Sequence, residues 1–328
     1  MIPPASVGVF TTGETFGDAV YKVVFLRGLR AIFPGAQITW LTTGSTLYAG
    51  DLASAAAPLL DRVVERCGLG ETPRELLRPV PRIGRFDLLI DTQAQIWRTL
   101  SVWRVPHRRF LSMTTHRRGV TGPHVLDRLF GLVEWATGQS VPRDLSPIPL
   151  PEPLRRAAAE VLPGQRAGYV AFAPGAGGVQ KIWPLDRFLS VAQGVVTAGR
   201  VPVFFLGPAE VGWRDRIAGV VPKAVFPLEH PGLGAVGGPK PLATVALAAR
   251  CAAAIANDSG TGHMIAASGT PLLSLFGPSD AQKFRPVARR GTVLRAQDFG
   301  GPEMRHIPVE AAAAALDALL ADISSPAG

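Results

Sequence analysis

With 328 residues, 47% of them hydrophobic and 18% charged, the chain is long enough for two compact domains and too apolar for wholesale disorder. No run approaches the roughly 18–20 uncharged apolar residues of a membrane-spanning helix. The opening from Met1 to Phe16 lacks the basic segment of a cleaved signal, so a cytoplasmic protein is expected. The net charge is +9, with 29 arginines among the 34 basic residues, and its source is either a composition bias or an anionic partner.

In chain order, short apolar runs alternate with amphipathic stretches of helical length, which is the pattern of an α/β fold with mainly parallel sheets. Val7–Thr11 reads as a strand, Asp18–Ile32 as a helix closed by Pro34, and Ile38–Thr42 as the next strand. Phe86–Asp91 reads as a strand and His124–Thr137 as a helix. The segment Val141–Pro153 then carries prolines at 142, 147, 149, 151 and 153. Such a density sustains neither a helix nor a central strand, so the linker is placed there, between domains spanning 1-145 and 146-328. The second half resumes the alternation, with strands Tyr169–Ala173 and Val201–Leu206 flanking a helix from Leu185 to Ala198. Ala252–Ala256 and Leu272–Phe276 read as strands on either side of a glycine-rich turn, and Pro308–Ile323 as an amphipathic helix. Cys67 and Cys251, one in each half and without metal-type spacing, read as small core residues of a reducing compartment. Two Rossmann-like halves are expected, with their chemistry in the loops beyond the carboxyl ends of the strands.

Four segments in those loops carry chemistry. Asn257-Asp258-Ser259-Gly260-Thr261-Gly262-His263 is a strand end, a small polar turn and a helix start, where backbone N–H groups and the helix dipole form an anion site. Capping by Asp258 or Ser259 and a satisfied core His263 are the plain alternatives. Gly175-Ala176-Gly177-Gly178-Val179-Gln180-Lys181 lets the backbone approach phosphate oxygens, and Lys181 is one of only five lysines. It matches neither the dinucleotide fingerprint nor the P-loop. Glu210, in Leu206-Gly207-Pro208-Ala209-Glu210, stands where a carboxylate can accept both hydroxyls of a ribose, or merely sit in the first turn of a helix. Asp18 follows Thr11–Gly17 at the opening of the first helix, and its plain reading is an N-cap.

Charge is unevenly spread. From Thr92 to Leu126 there is no acidic residue, while Arg98, Arg104, Arg108, Arg109, Arg117 and Arg118 fall there with His107, His116 and His124. A field of one sign attracts an anionic partner, and a phosphorylated glycolipid, an anionic membrane surface or nucleic acid would each qualify.

Taken in order, these segments resemble glycosyltransferase family 9, the ADP-heptose:lipopolysaccharide heptosyltransferases. Gly17-Asp18 with the helix running to Pro34 is similar to the family's opening, and Lys181-Ile182-Trp183-Pro184, Gly207–Glu210 and Asp258-Ser259-Gly260-x-x-His263 to its donor-site motifs. The resemblance implies a GT-B-type α/β architecture, two Rossmann-like domains facing each other across a cleft, with the acceptor in the N-terminal and the nucleotide sugar in the C-terminal domain. It implies metal-independent inverting transfer of a heptose from ADP-heptose, Asp18 as base, and Gly175, Lys181, Glu210, Asp258, Ser259, Gly260 and His263 at the donor. The six arginines would face an anionic glycolipid or glycan acceptor, with peripheral contact at the inner face of the cytoplasmic membrane. No cofactor is implied and nucleic acid is not expected. No Asp-x-Asp pair occurs to hold a divalent ion. Two features depart from the family: Glu14 and Phe16 replace a serine-rich loop, and Tyr21-Lys22-Val23-Val24 lacks a proline common early in the first helix. A GT-B-type sugar-nucleotide epimerase and a non-catalytic nucleotide- or glycolipid-binding member are the alternatives.

Overall fold

The structure, a computed structural model, describes residues 3–235 and 240–324. The chain divides into two compact units, Met1–Asp144 and Leu145–Gly328.

The first unit runs β1 (Ser6–Thr11), α1 (Phe16–Ile32), β2 (Gln37–Thr42), α2 (Ala53–Ala56), β3 (Arg62–Val64), β4 (Phe86–Asp91), α3 (Ile96–Trp103), β5 (His107–Ser112) and α4 (Val125–Thr137). Its sheet is parallel throughout, in the order β3-β2-β1-β4-β5, with Val7 opposite both Ile38 and Leu88. Strands covered on both faces lose the polar–apolar alternation of a half-buried strand. Accordingly Val7, Val9, Phe10, Ile38, Trp40, Leu41, Leu88, Leu89 and Ile90 are all buried. Gly28 lets α1 lie close against α4, since a Cβ there would stand 2.8 Å from the Phe130 ring and 2.7 Å from Val141.

The second unit runs α5 (Glu152–Val161), β6 (Tyr169–Ala173), α6 (Leu185–Thr197), β7 (Val201–Phe204), α7 (Arg214–Val220), α8 (Pro231–Ala235), α9 (Lys240–Ala248), β8 (Ala253–Asn257), α10 (Gly260–Ala267), β9 (Leu272–Phe276), α11 (Ala281–Phe284), β10 (Gly291–Arg295) and α12 (Val309–Ser324). Its parallel sheet has the order β10-β9-β8-β6-β7. Beyond β7 a single bridge joins Val203 to Val225, closed by Phe204 N–H to the Val225 carbonyl at 2.8 Å and Val225 N–H to Pro202 at 2.9 Å. With that remnant counted as a strand, the order becomes the 3-2-1-4-5-6 of a Rossmann sheet. Phe172, Trp183, Phe188, Phe204 and Phe276 are fully buried, each side chain contributing about 1.5–3 kcal/mol relative to exposure. On α12, Ala312, Leu316, Leu319 and Leu320 recur at helical spacing and turn inward. Cys67 is buried in the first unit and Cys251 in the second.

Several expectations shift. α1 begins at Phe16, two residues before Asp18, because Thr15 is the N-cap and Asp18 the third helical residue. Val201–Phe204 is shorter than the expected strand, since Phe205 and Leu206 already lead into the turn. The linker segment ends in a helix: Pro151 caps α5 and Pro153 lies in its first turn, where the missing N–H has no intrahelical partner to lose. β5 has a polar amino half, His107-Arg108-Arg109, because it is the edge strand of its sheet.

Candidate active site

In an open parallel sheet the strand order reverses at one place, and the loops leaving the carboxyl ends of the two strands there diverge to form a crevice. In the second unit that place lies between β6 and β8, since β6 leads to β7 on one side and β8 starts the other. The loop after β6 contains Gly175 and Lys181; the loop after β8 contains Asp258 and Ser259. Lys181 Nζ meets Asp258 Oδ2 at 2.7 Å, a pair spanning the switch point, with the aspartate side chain only 8% exposed and the lysine 33%. Asn257 fixes the loops to each other. Its amide donates to the Pro174 carbonyl at 2.6 Å and accepts from Trp183 N–H at 3.2 Å, while the Trp183 indole donates to Ile307 at 3.0 Å.

Ser259 is the N-cap of α10 and accepts from Gly262 N–H at 3.4 Å. The N–H groups of Gly260 and Thr261 have no intrahelical acceptor by position and crown the positive end of the helix dipole beside Lys181. His263 is half-buried one turn into α10. Asp258 is therefore the lysine's partner rather than the cap. Glu210 lies in the 3-10 turn Pro208–Trp213, is 7% exposed, and accepts from Gly207 N–H at 2.9 Å. Its carboxylate lies directly over Gly175, where a Cβ would stand 2.5 Å from Glu210 Cδ. Gly175 is thus the space in which the carboxylate sits. The sequence reading missed that role for the glycine, and it missed Asn257 as the clamp.

In the first unit the switch point lies between β1 and β4. Thr12 Oγ1 donates to Gln93 Oε1 across it at 3.2 Å. Asp18 is half-buried in a capping box with Thr15. Its Oδ2 accepts from Thr15 Oγ1 at 2.9 Å and from Thr15 N–H at 3.4 Å, and its Oδ1 from Tyr21 Oη at 3.1 Å. One helical turn along, Lys22 is 7% exposed and donates to Thr11 Oγ1 at 3.0 Å, with Trp40 beneath the ammonium. Glu14 accepts from Thr46 Oγ1 at 2.6 Å. Burial holds the Glu14 carboxyl above its usual range, against the Thr46 hydrogen bond and the charge of Lys22. Burial likewise pulls the Lys22 ammonium down, opposed by Glu14 and Asp18. In the sequence this pair shows only as departures from the family pattern, Glu14 in place of a serine-rich loop and Lys22 within Tyr21-Lys22-Val23-Val24.

Asp91 at the end of β4 is also buried, with its carboxyl pushed up by desolvation. It accepts from Thr99 Oγ1 at 2.7 Å, Ser112 Oγ at 3.1 Å and Gln93 N–H at 2.9 Å. Ser112 in turn accepts from Thr114 N–H at 3.0 Å, so this network anchors the loop after β5.

The six arginines of the basic stretch do not form one surface. Arg98 donates to the Gly70 carbonyl at 3.2 Å, and Arg104 to the carbonyls of Glu75 and Arg78, which ties α3 to the turn Pro73–Leu77. Arg108 pairs with Asp87 at 3.5 Å and Arg109 donates to the Ala136 carbonyl at 2.7 Å. Both line a hollow of about 540 Å³ at the amino ends of β4 and β5, opposite the end that bears Asp18. Arg117 and Arg118 alone follow the carboxyl end of β5, and among the described residues their side chains carry no hydrogen bond or ion pair, although the Arg117 carbonyl accepts from Val120 N–H at 3.2 Å. With Thr114, Thr115, His116 and Trp135 they line a hollow of about 380 Å³, in which the His116 and Trp135 rings lie 5.5 Å apart.

The sequence model of glycosyltransferase family 9 (heptosyltransferase) matches residues 102–309, a span that holds every second-unit site residue but not Asp18. The chain is 28% identical over 309 residues to lipopolysaccharide heptosyltransferase 1 of Pseudomonas aeruginosa, covering 87% of this chain and 82% of that one. Against lipooligosaccharide heptosyltransferase 2 of Haemophilus influenzae it is 29% identical over 127 residues, 38% of this chain and 36% of that relative's length. Among solved structures, the family 9 glycosyltransferase of Veillonella parvula matches with a TM-score of 0.74 at 20% identity, over 97% of this chain and 98% of that one. The ADP-heptose lipopolysaccharide heptosyltransferase II of E. coli matches with a TM-score of 0.65 at 21% identity, over 98% and 99% of the two chains. These likenesses give the fold, which is of the GT-B type.

Proposed function

Because the chain belongs to glycosyltransferase family 9, the heptosyltransferases, we propose that it transfers a heptose from ADP-heptose to a lipopolysaccharide-core-type or related glycan acceptor, inverting the anomeric carbon without a metal ion. The observation that carries this reading is the Lys181–Asp258 pair at the mouth of α10. Transfer leaves a nucleoside diphosphate carrying the charge of the broken bond. Lys181, held by Asp258, and the free N–H groups of Gly260 and Thr261 are donors fixed in advance of that charge, and one such donor is worth about 2.7–4 kcal/mol of barrier in other enzymes. No Asp-x-Asp pair exists to bring a divalent ion to the same place. Glu210 accepts the ribose hydroxyls from its seat over Gly175, and His263 adds a donor one turn into the helix.

In the first unit Asp18 takes the proton from the attacking hydroxyl. Three O–H and N–H donors hold its carboxylate in one orientation, so it is positioned before the acceptor arrives. Of the six arginines, Arg117 and Arg118 are the ones disengaged from the fold and on the carboxyl end of the sheet. They hold the acceptor's anionic group, and the exposed Trp135 offers an apolar face to a sugar ring. Arg98, Arg104, Arg108 and Arg109 belong to the architecture of the first unit.

Incubation with ADP-heptose and a panel of other nucleotide sugars, with and without a phosphorylated core glycan, tests the reading. Acceptor-dependent release of ADP with a new glycosidic bond is expected. A rearranged nucleotide sugar without transfer would instead make the protein an epimerase, and binding without turnover a non-catalytic member.

A further inference from the structure

Among the buried residues of α1, Lys22 alone is charged. Its Nζ donates to Thr11 Oγ1 at 3.0 Å and lies 5.9 Å from the centre of the Trp40 ring, and among the described residues it makes no ion pair. Thr11 closes β1 and is fully buried, so the ammonium sits at the strand end from which Thr12 crosses the switch point. A buried ammonium bonded to one neutral hydroxyl is costly, and an apolar side chain of the same length would fill the space without that cost. Stability does not account for the charge.

The groups around it do. Asp18 lies four residues earlier, on the same face of α1 and one turn nearer its amino end. Glu14 comes in from just before the N-cap, held by Thr46 Oγ1, and Glu65 after β3 accepts from Thr46 N–H at 2.7 Å. Burial pulls the Lys22 ammonium down, and the charges of Glu14 and then Asp18 oppose that pull. The neighbouring phenols, Tyr21 on α1 and Tyr48 after β2, are raised by burial and stay protonated. Tyr21 donates to Asp18 with His124 of α4 edge-on against its ring, and Tyr48 donates to the Ala19 carbonyl at 2.7 Å. Lys22 is thus the one cation of a set that holds two nearby acids.

We infer that Lys22 is a positioning residue for proton transfer: fixed beneath Asp18 by Thr11, its ammonium keeps that carboxylate empty of a proton until the acceptor hydroxyl arrives. Glu14 is the counter-charge that lets the ammonium stay buried. The inference deepens the transferase reading and rests on it, since it needs Asp18 to be the base. In the transfer the acceptor oxygen bonds to the anomeric carbon and its proton passes to Asp18. The bond from that carbon to the diphosphate breaks, and its electron pair leaves on the diphosphate. At 7% exposure Lys22 itself is out of reach of a substrate. An ammonium one turn from a carboxylate favours the ionised form, so its removal narrows the active range from the acid side.

The pH profile of transfer from ADP-heptose to a phosphorylated core glycan tests it. Lys22→Met alone leaves Glu14 without its counter-charge, so Lys22 is replaced in a Glu14→Gln background. Glu14→Gln and Glu14→Gln/Lys22→Met then differ in the lysine alone. Circular dichroism and ADP affinity should stay at parental values in both, because Lys181 and Asp258 lie in the other unit. The acid limb of kcat/KM in the double variant should lie about one pH unit above that of Glu14→Gln, the scale of one opposite charge at this spacing. Lys22→Gln in the same background keeps a donor for Thr11 and should show the same displacement. The residual turnover of Asp18→Asn should show no such limb; a limb that persists there belongs to another group and would overturn the inference. So would coincident limbs, including a fall of equal size at every pH, which would make Lys22 a strut between α1 and β1. A parent that transfers no sugar at any pH strikes the transferase reading and the inference with it, whereas coincident limbs in a chain that transfers sugar strike the inference alone.

Discussion

The two units place their reversal of strand order at corresponding positions but close it with different chemistry. In the second unit an ammonium and a carboxylate meet across the gap, Lys181 to Asp258, and the helix that follows points its free N–H groups the same way. In the first unit the gap is crossed by a neutral hydrogen bond, Thr12 to Gln93, and the charges lie to one side or beneath: Asp18 in its capping box, Glu14 and Lys22 under it. Fixed charge at an exposed crevice suits a ligand that is itself charged throughout the reaction. A carboxylate gripped by hydroxyl donors suits a proton that moves once. On the function proposed above, binding energy belongs to one unit and proton transfer to the other.

The sharpest way to break that division is Asp18→Asn. The amide keeps the shape of the helix start, so the fold and the ADP affinity should be retained, while turnover falls by about 10²–10⁴-fold with the loss of a general base. Parental turnover in a folded variant would take proton transfer out of the first unit. Lys181→Ala comes next, with turnover lower by about 10²-fold. Here ADP affinity should fall as well, because the ammonium meets the diphosphate in both the bound and the reacting states. Asp258→Asn should show a milder version of the same defect, and a double-mutant cycle should find the two residues coupled rather than additive.

A smaller effect separates the ribose contact from the chemistry. Glu210→Gln should weaken ADP binding by about tenfold, the scale of one hydrogen bond to a charged group, with kcat nearly unchanged. Gly175→Ala should copy that phenotype, since its methyl would occupy the seat of the Glu210 carboxylate. Calorimetry with ADP distinguishes the outcomes; equal affinity in Glu210→Gln would return the residue to a purely structural role in its turn.

The smallest effect concerns pH. Burial raises the folded-state pKa of Glu14 above the unfolded value of 4.5. The folded chain then binds that proton more tightly than the unfolded one, so this group's contribution is fully present below pH 4.5 and is lost as pH rises through the folded value. Glu14→Gln should remove that loss. The difference in Tm between variant and parent should grow from pH 4.5 upward and then level off. A difference independent of pH would mean that Glu14 titrates normally in the folded protein.

The meeting of charge and turn at the switch point of the second unit was legible because those residues are local in sequence. Lys181 and Glu210 sit in glycine-bearing turns, and Asp258 in a small polar turn, each directly after an apolar run, so strand, loop and charge are read together. The arginines were not legible in the same way. Arg108, Arg109, Arg117 and Arg118 lie within eleven consecutive residues, yet β5 runs between the pairs and delivers them to opposite ends of the sheet. Without that strand, whose polar amino half hides it, the four look like one patch. Glu14 and Lys22 were visible only as departures from a family pattern, because a buried charge is recognised by what surrounds it, and their surroundings come from β2 and the turn after it.

The two cysteines offer an unplanned instrument. Each unit holds one, and burial pushes the Cys251 thiol up to about 12 and the Cys67 thiol up to about 11. Neither presents a thiolate at neutral pH, so an alkylating reagent reaches either one only when its own unit opens. The rate of modification at Cys67 then clocks local unfolding of the Asp18 unit, and that at Cys251 the unit of Lys181. ADP should slow the second clock strongly and the first only as far as the two units share their stability. Without a single substitution, the chain can report how independently its halves unfold.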